Sequence, residues 1–166
     1  MTVYLVKAKE SDAAVILDGQ VRAFTPLLEK YLDVETNPAN ETLEKILSRI
    51  HEPNGGFYKI IFEETFVGAI RVYSKSEASK YWISPIFIFP EFQGHGIGQK
   101  AMIAAETLFP HASSFELATI LEEEGNCYLY KKLGYKETGV MKKLNARTTL
   151  VYFKKVLKVN DYLKNI

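Results

Sequence analysis

Apolar and polar positions alternate along some segments of this chain and follow a helical period along others. Segments with strand-like alternation, rich in β-branched and aromatic residues, predict seven strands. In chain order these strands are Val3–Ala8, Phe57–Phe62, Phe66–Tyr73, Tyr81–Phe89, Phe115–Ile120, Tyr135–Met141 and Thr148–Val156. The predicted helices are Ala13–Phe24, Glu41–Ile50, Gln99–Phe109 and Cys127–Leu133.

Local signals mark several of the boundaries between these elements. Pro26 is expected to interrupt the first helix, because a proline inside a helix removes a backbone hydrogen bond. Gly134 is expected to cap the last helix. The segment Glu63-Glu64-Thr65 separates two β-rich runs and predicts a hairpin. The apolar face of the third helix is expected at Ala101, Ile103 (or Ala104) and Leu108.

The order of the elements, β-α-α-β-β-β-α-β-α-β-β, predicts a mixed α/β (α+β) fold. Only the strands Tyr81–Phe89 and Phe115–Ile120 are joined by a helical crossover, so they should be parallel. The other pairs should be mainly antiparallel. A chain of 166 residues is expected to form one domain, residues 1–166.

Composition and charge narrow the range of functions. Hydrophobic residues make up 47% of the chain and charged residues 25%, as in ordinary globular proteins. The net charge is only +1, and basic and aromatic residues are not interleaved on one element, which argues against nucleic-acid binding. We expect no membrane span, because the longest apolar stretch, around Tyr81–Pro90, is far too short. We also expect no metal site, and the single cysteine, Cys127, fits a reducing compartment and thus a cytoplasmic protein.

The segment Gln93-Gly94-His95-Gly96-Ile97-Gly98 lies between a predicted strand and a predicted helix. Glycines at alternate positions allow positive φ angles and a close approach of a ligand to the main chain. Amides in such a turn, together with a helix N-terminus, can bind a phosphate group. The segment fits neither a dinucleotide fingerprint, which needs glycine where Gln99 stands, nor a P-loop. A tight turn without a ligand is the alternative reading.

Two motifs in this order resemble the GCN5-related N-acetyltransferase (GNAT) superfamily. Gln93, Gly96 and Gly98 match its Gln/Arg-x-x-Gly-x-Gly/Ala motif, and Ile88-Phe89-Pro90-Glu91-Phe92 matches the segment before it. The segment Leu129-Tyr130-Lys131-Lys132-Leu133-Gly134-Tyr135 is similar to the Leu-Tyr-x-Lys-x-Gly-Phe segment on the family's fourth helix. The resemblance covers nearly the whole chain up to about Val156.

The resemblance implies that acetyl-CoA is the cosubstrate, in a V-shaped cleft between the fourth and fifth strands. It implies pantetheine pairing by the main chain of Phe87, Ile88 and Phe89, and a pyrophosphate held by amides of the glycine turn. Tyr130 matches the family's general acid, which protonates the departing thiolate. The cofactor-binding residues implied are therefore Phe87, Ile88, Phe89, Gln93, Gly94, His95, Gly96, Ile97, Gly98, Gln99 and, as N-cap of the fourth helix, Asn126.

Two departures from the family pattern leave the general base open. Ser84 stands where many members carry a strand glutamate, and Glu123 stands where an asparagine is common. Glu116, Glu123 or water chains from either are the candidates. The chain is thus expected to be an acetyl-CoA-dependent N-acetyltransferase acting directly on a primary amine, and a non-catalytic acyl-CoA sensor is the alternative.

The sequence does not decide whether the acceptor is a small-molecule amine or an amine of a peptide or protein. It also leaves open whether the protein forms a homodimer. By resemblance the acceptor is selected by about Phe24–Asn40, where Phe24, Tyr31, Asp33 and Glu35 favour a partly aromatic, acidic pocket for a cationic amine.

Overall fold

A mixed seven-stranded sheet forms the centre of the molecule, which was obtained as a computed structural model describing residues 2–74 and 79–157. The strands, in chain order, are β1 (Val3–Lys7), β2 (Gly55–Phe62), β3 (Thr65–Ser74), β4 (Lys80–Ile88), β5 (Ser114–Ile120), β6 (Lys136–Asn145) and β7 (Thr148–Val156). The helices are α1 (Ala13–Tyr31), α2 (Leu43–Ile50), α3 (Ile97–Leu108) and α4 (Glu124–Lys132). The predicted order of elements is confirmed.

The spatial order of the strands is β1-β2-β3-β4-β5-β7-β6. Only β4 and β5 pair in parallel, and every other neighbouring pair is antiparallel, as predicted. Successive strand residues point to opposite faces, so Ala69 packs with α1 and α2 while Ile70 packs with α3 and α4. The sheet is therefore covered by helices on both faces.

The first helix runs further than its proline suggested. Pro26 was expected to interrupt α1, but the helix continues through it to Tyr31. Tertiary contacts hold the last turns: Tyr31 is buried, and its carbonyl accepts hydrogen bonds from Thr148 Oγ1 (2.6 Å) and Asn145 Nδ2 (3.0 Å). These contacts offset the cost of a helical proline, which is about 3 kcal/mol. The extension carries α1 across the end of the sheet.

The buried face of α3 differs from the predicted one. Its buried residues are Ile97, Ala101, Met102 and Ala105. Ile103 and Leu108 are instead 50% and 44% exposed, so only Ala101 of the predicted face was right. Ile103 lies about 200° around the helix from Ala101, and Leu108 is the last helical residue. The small side chains of Ala101 and Ala105 allow close packing on the sheet.

The strands β4 and β5 separate after a short paired segment. Their pairing joins Lys80–Trp82 to Ser114–Glu116, and within the described part of the chain no pair joins residues 83–88 to residues 117–120. A register shift in β3 opposite this point is bridged by buried Arg71, whose Nη1 donates to the Ser84 carbonyl (3.0 Å). The sheet thus opens into a V at the centre of the molecule.

Candidate functional site

Two adjoining cavities occupy the V between β4 and β5. The first, here called the cleft cavity, has a volume of about 360 Å³ and extends from β4 to Gly98 on α3 and Leu129 on α4. The second, the loop cavity, has a volume of about 290 Å³ and is bordered by the loop after α1. Residues from three elements line both cavities: Phe24, Leu27, Ile86, Asn126 and Tyr130. The two cavities therefore meet beside Tyr130.

The glycine turn connects β4 to α3 with the geometry that alternate glycines allow. Gly94 and Gly96 have φ angles of 84° and 74°, which other residues adopt only with strain, and the space where a Cβ would stand is open at both. Among the described residues, the amides of Gly94, His95 and Gly96 donate to no other group. The first amides of α3, from Ile97 to Gln99, have no carbonyl within the helix to bond to. The turn thus presents free donors next to open space, which suits an anion.

The main chain of β4 next to the cleft is only partly committed to the sheet. The Phe89 amide donates to the Val67 carbonyl (2.8 Å), so it faces β3 and not the cleft. Successive residues alternate between the two edges of a strand, which turns the main chain of Ile88 toward β5. Gln93 Nε2 donates to the Ile88 carbonyl (2.9 Å) and ties the glycine turn to the end of this strand. The side chains of Phe87 and Phe89 are buried against α1 and α2.

Tyr130 owes its position to the way α4 ends. Leu133 is the C-cap and Gly134 follows with a φ angle of 96°. The Tyr135 amide donates to the Tyr130 carbonyl, and the Gly134 amide to the Lys131 carbonyl, both at 3.0 Å. These two bonds define a Schellman motif, in which an apolar contact between the same two positions is usual. Here the rings of Tyr130 and Tyr135 lie 6.2 Å apart, so the second sequence motif encodes a helix end that orients Tyr130.

The hydroxyl of Tyr130 has no hydrogen-bond partner among residues 2–74 and 79–157, although the side chain is only 9% exposed and lines both cavities. Burial raises the pKa of Tyr130 to about 12, with a smaller contribution from Cys127. The phenol therefore keeps its proton throughout the neutral and moderately alkaline range. A neutral donor at the junction of two cavities is suited to give a proton to a group that leaves as an anion.

The two carboxylates that were candidates for the general base lie in different surroundings. Glu116 pairs with Lys154 (3.6 Å) and lines neither cavity. Glu123 lines the cleft cavity, as Tyr130 does, and its Oε2 accepts a hydrogen bond from the Tyr31 hydroxyl (2.7 Å). Burial and this bond raise the pKa of Tyr31, so the phenol remains a donor to the carboxylate. The arrangement favours Glu123.

Two of the four acceptor-pocket residues expected from the sequence, one on α1 and one on the loop after it, line the loop cavity. Phe24 and Asp33 line the loop cavity, whereas Tyr31 is buried against Glu123 and Glu35 is exposed and lies outside both cavities. Ser84 on β4 also lines this cavity. Local sequence could not distinguish these positions, because the direction of each side chain depends on where the extended α1 ends.

Three further predicted residues have plain structural positions. Asn126 was expected to be the N-cap of α4, but Glu123 is the N-cap and Asn126 is the third helical residue, where it lines both cavities. His95 is exposed in the glycine turn. Cys127 is buried, its Sγ lies 3.7 Å from the Ile120 carbonyl, and burial raises the pKa of its thiol.

The fold is shared with solved acetyltransferases of low sequence identity. PaiA N-acetyltransferase from Thermoplasma acidophilum, in complex with coenzyme A, is similar with a TM-score of 0.74 and 15% identity over 95% of this chain and 100% of that one. The ribosomal-protein-S18-alanine N-acetyltransferase from Escherichia coli is similar with a TM-score of 0.73 and 10% identity, over 93% of this chain and 94% of that one. AAC(6')-Ib in complex with ribostamycin and coenzyme A is similar with a TM-score of 0.74 and 15% identity, over 97% of each chain.

Sequence comparison with characterised proteins gives no significant match. The acetyltransferase (GNAT) family, however, matches residues 21–135, which is more than half of the chain and includes both motifs. Family and fold agree with the predicted use of acetyl-CoA as cosubstrate, and two of the similar structures contain coenzyme A. The chain therefore belongs to the acetyltransferase (GNAT) family.

Proposed function

We propose that this protein transfers an acetyl group from acetyl-CoA to a primary amine by direct attack, with Tyr130 as the general acid. The observation that carries the proposal is the unpaired, neutral hydroxyl of Tyr130 at the point where the cleft cavity and the loop cavity meet. We assign acetyl-CoA to the cleft cavity and the amine to the loop cavity, with the proton donor between the two substrates.

The residues around the cleft cavity fit a coenzyme A moiety. The open space at Gly94 and Gly96 and the free amides of the turn suit its pyrophosphate. The edge of β4 that β5 leaves unpaired suits the amides of the pantetheine arm, which can bond to it as an added strand would. Acetyl-CoA bound there would supply an activated acetyl group and a thiolate as the leaving group.

This chemistry needs a group that donates a proton to the thiolate and a group that accepts a proton from the amine. A free thiol has a pKa of about 8.5, well below that of the buried phenol, so Tyr130 has to donate at the moment the thiolate is forming. We assign the role of proton acceptor to Glu123. Its Oε1 has no partner in the described part of the chain, so it can accept, through water, the proton that the amine must lose. We assign to the Ile88 amide the hydrogen bond to the developing oxyanion, because the main chain of this residue faces the cleft.

The test is release of free thiol from acetyl-CoA, measured across a panel of primary amines, together with thermal unfolding in the presence of acetyl-CoA. A ligand that binds only the native state raises the melting temperature by mass action, and we expect acetyl-CoA to do so far more than NAD or ATP. Equal stabilisation by all three ligands would contradict the cofactor assignment. Binding of acetyl-CoA without thiol release from any amine would identify a sensor, which the absence of a glutamate at Ser84 would then explain.

A further inference from the structure

The loop cavity has one charged group in its lining. Of the described residues that line it, Asp33 is the only aspartate, glutamate, lysine, arginine or histidine. The others that form its walls are mainly apolar, among them Phe24, Leu27 and Ile86. A single negative charge in an apolar pocket has to be compensated when the pocket closes on a ligand.

The Asp33 side chain is held in place and is only 7% exposed. Asn37 Nδ2 donates to Asp33 Oδ1 (3.0 Å), and the amides of Thr36 and Asn37 donate to the Asp33 carbonyl. No lysine, arginine or histidine among residues 2–74 and 79–157 forms an ion pair with Asp33, and its Oδ2 has no hydrogen-bond partner. A pre-positioned carboxylate without a cation is suited to bind a cation from outside.

The cation held by Asp33 cannot be the nitrogen that reacts. A neighbouring negative charge stabilises the protonated form of an amine and raises its pKa, whereas an amine must be unprotonated to attack. We infer that the acceptor carries two amino groups, one of which stays protonated at Asp33 while the other reacts beside Tyr130. This inference rests on the proposed function and assigns its substrate class.

The cavity also limits the size of the acceptor. Its volume of about 290 Å³ is at the lower end of the roughly 300 to 1,000 Å³ of ligand pockets, and its apolar walls suit methylene groups. A short alkyl diamine meets both conditions. In the reaction its unprotonated nitrogen bonds to the acetyl carbon and loses one proton, through water, to Glu123. The C–S bond breaks, and the thiolate takes the Tyr130 proton, which solvent then replaces.

The experiment compares 1,4-diaminobutane with n-butylamine and 4-amino-1-butanol, which keep the reacting amine but lack the second cation. We expect kcat/KM for the diamine to exceed that for either monoamine by about 10- to 100-fold, the range expected for one charged hydrogen bond. Asp33→Asn should reduce kcat/KM for the diamine to the value for the monoamines, mainly by raising the KM for the diamine. The matched control is Glu35→Gln, which removes a nearby exposed charge outside the cavity and should leave the preference unchanged.

A second measurement does not need turnover. With the protein saturated by coenzyme A, 1,4-diaminobutane should raise the melting temperature of the wild-type protein but not that of Asp33→Asn, while acetyl-CoA stabilises both. Equal use of diamine and monoamines by the wild type would overturn the inference and leave the acetyltransferase proposal intact. Asp33-dependent binding of the diamine without thiol release would support the diamine site but contradict the acetyltransferase proposal.

Discussion

The two cavities that meet at Tyr130 are built in different ways. The cleft cavity follows β4 and reaches Gln93 and Gly98, the two ends of a glycine turn whose main-chain amides at Gly94–Gly96 are free among the described residues. The loop cavity collects side chains from α1, the loop after it, β4, β5, α4 and β7. A main-chain site needs only the right backbone conformation, so a few adjacent glycines encode it. A side-chain site needs distant segments to be brought together, and no local motif records it.

The largest expected effect lies at the junction of the cavities. Tyr130→Phe removes only the hydroxyl and should lower kcat by about 10- to 10⁴-fold, while acetyl-CoA binding stays nearly unchanged. Tyr128→Phe, on the same helix and 71% exposed, is the matched control and should keep wild-type kcat. Thiol-release kinetics and thermal unfolding with acetyl-CoA check both. If Tyr130→Phe turned over like the wild type, Tyr130 would be a packing residue and the junction would have no chemical role.

The second effect separates the main-chain site from the side-chain site. Gly96→Glu places a negative side chain at a positive-φ position beside the open space, and should weaken acetyl-CoA binding by roughly 100-fold or more, since several charge-assisted bonds are lost. Gly139 also has a positive φ angle (90°) and open space, but lies on β6 away from both cavities. Gly139→Glu should therefore carry the same backbone strain and leave acetyl-CoA binding unchanged. Calorimetric titration with acetyl-CoA would contradict the assignment if both variants bound equally.

The third effect concerns stability at high pH. The pKa of Tyr130 is about 12 in the folded protein and about 10 when unfolded, so its contribution to stability is complete below pH 10 and is lost as pH rises toward 12. Between pH 8 and 11.5 the wild type should therefore lose about 2 kcal/mol more of its free energy of unfolding than Tyr130→Phe. Urea unfolding at these two pH values measures the difference. Identical losses would mean that the hydroxyl is solvated.

The smallest effect tests the link between the glycine turn and β4. Gln93→Ala removes the hydrogen bond from Gln93 Nε2 to the Ile88 carbonyl. Because an exposed bond contributes about 0.5–1.5 kcal/mol, acetyl-CoA affinity should fall by roughly 2- to 12-fold. The KM for the amine should stay constant, since Gln93 does not line the loop cavity. A change in the KM for the amine with unchanged acetyl-CoA affinity would mean that Gln93 acts on the amine site and not on the acetyl-CoA site.

Local sequence was sufficient where one segment carries its own structure. The positions of β4, the glycine turn and α4 followed from hydrophobic pattern and glycine placement. Tyr130 was singled out by the resemblance of its segment to a family motif, and its chemical role stays a prediction. The same reasoning was wrong for Pro26 and for Ile103 and Leu108 on α3. In these cases packing between elements overrode the local preference or the local period.

The sequence by itself determined the order of elements, the parallel pair, the glycine turn and the family. Each of these depends on backbone preferences within a short segment or on a single crossover. Only the tertiary structure decided that α1 passes through Pro26, and that Asp33 lines the loop cavity while Glu35 does not. It also decided that Glu123 lines the cleft cavity and accepts a hydrogen bond from Tyr31. Those outcomes depend on contacts between residues far apart in the chain, where the burial of Tyr31 and its bonds to β6 and β7 outweigh what the local sequence prefers.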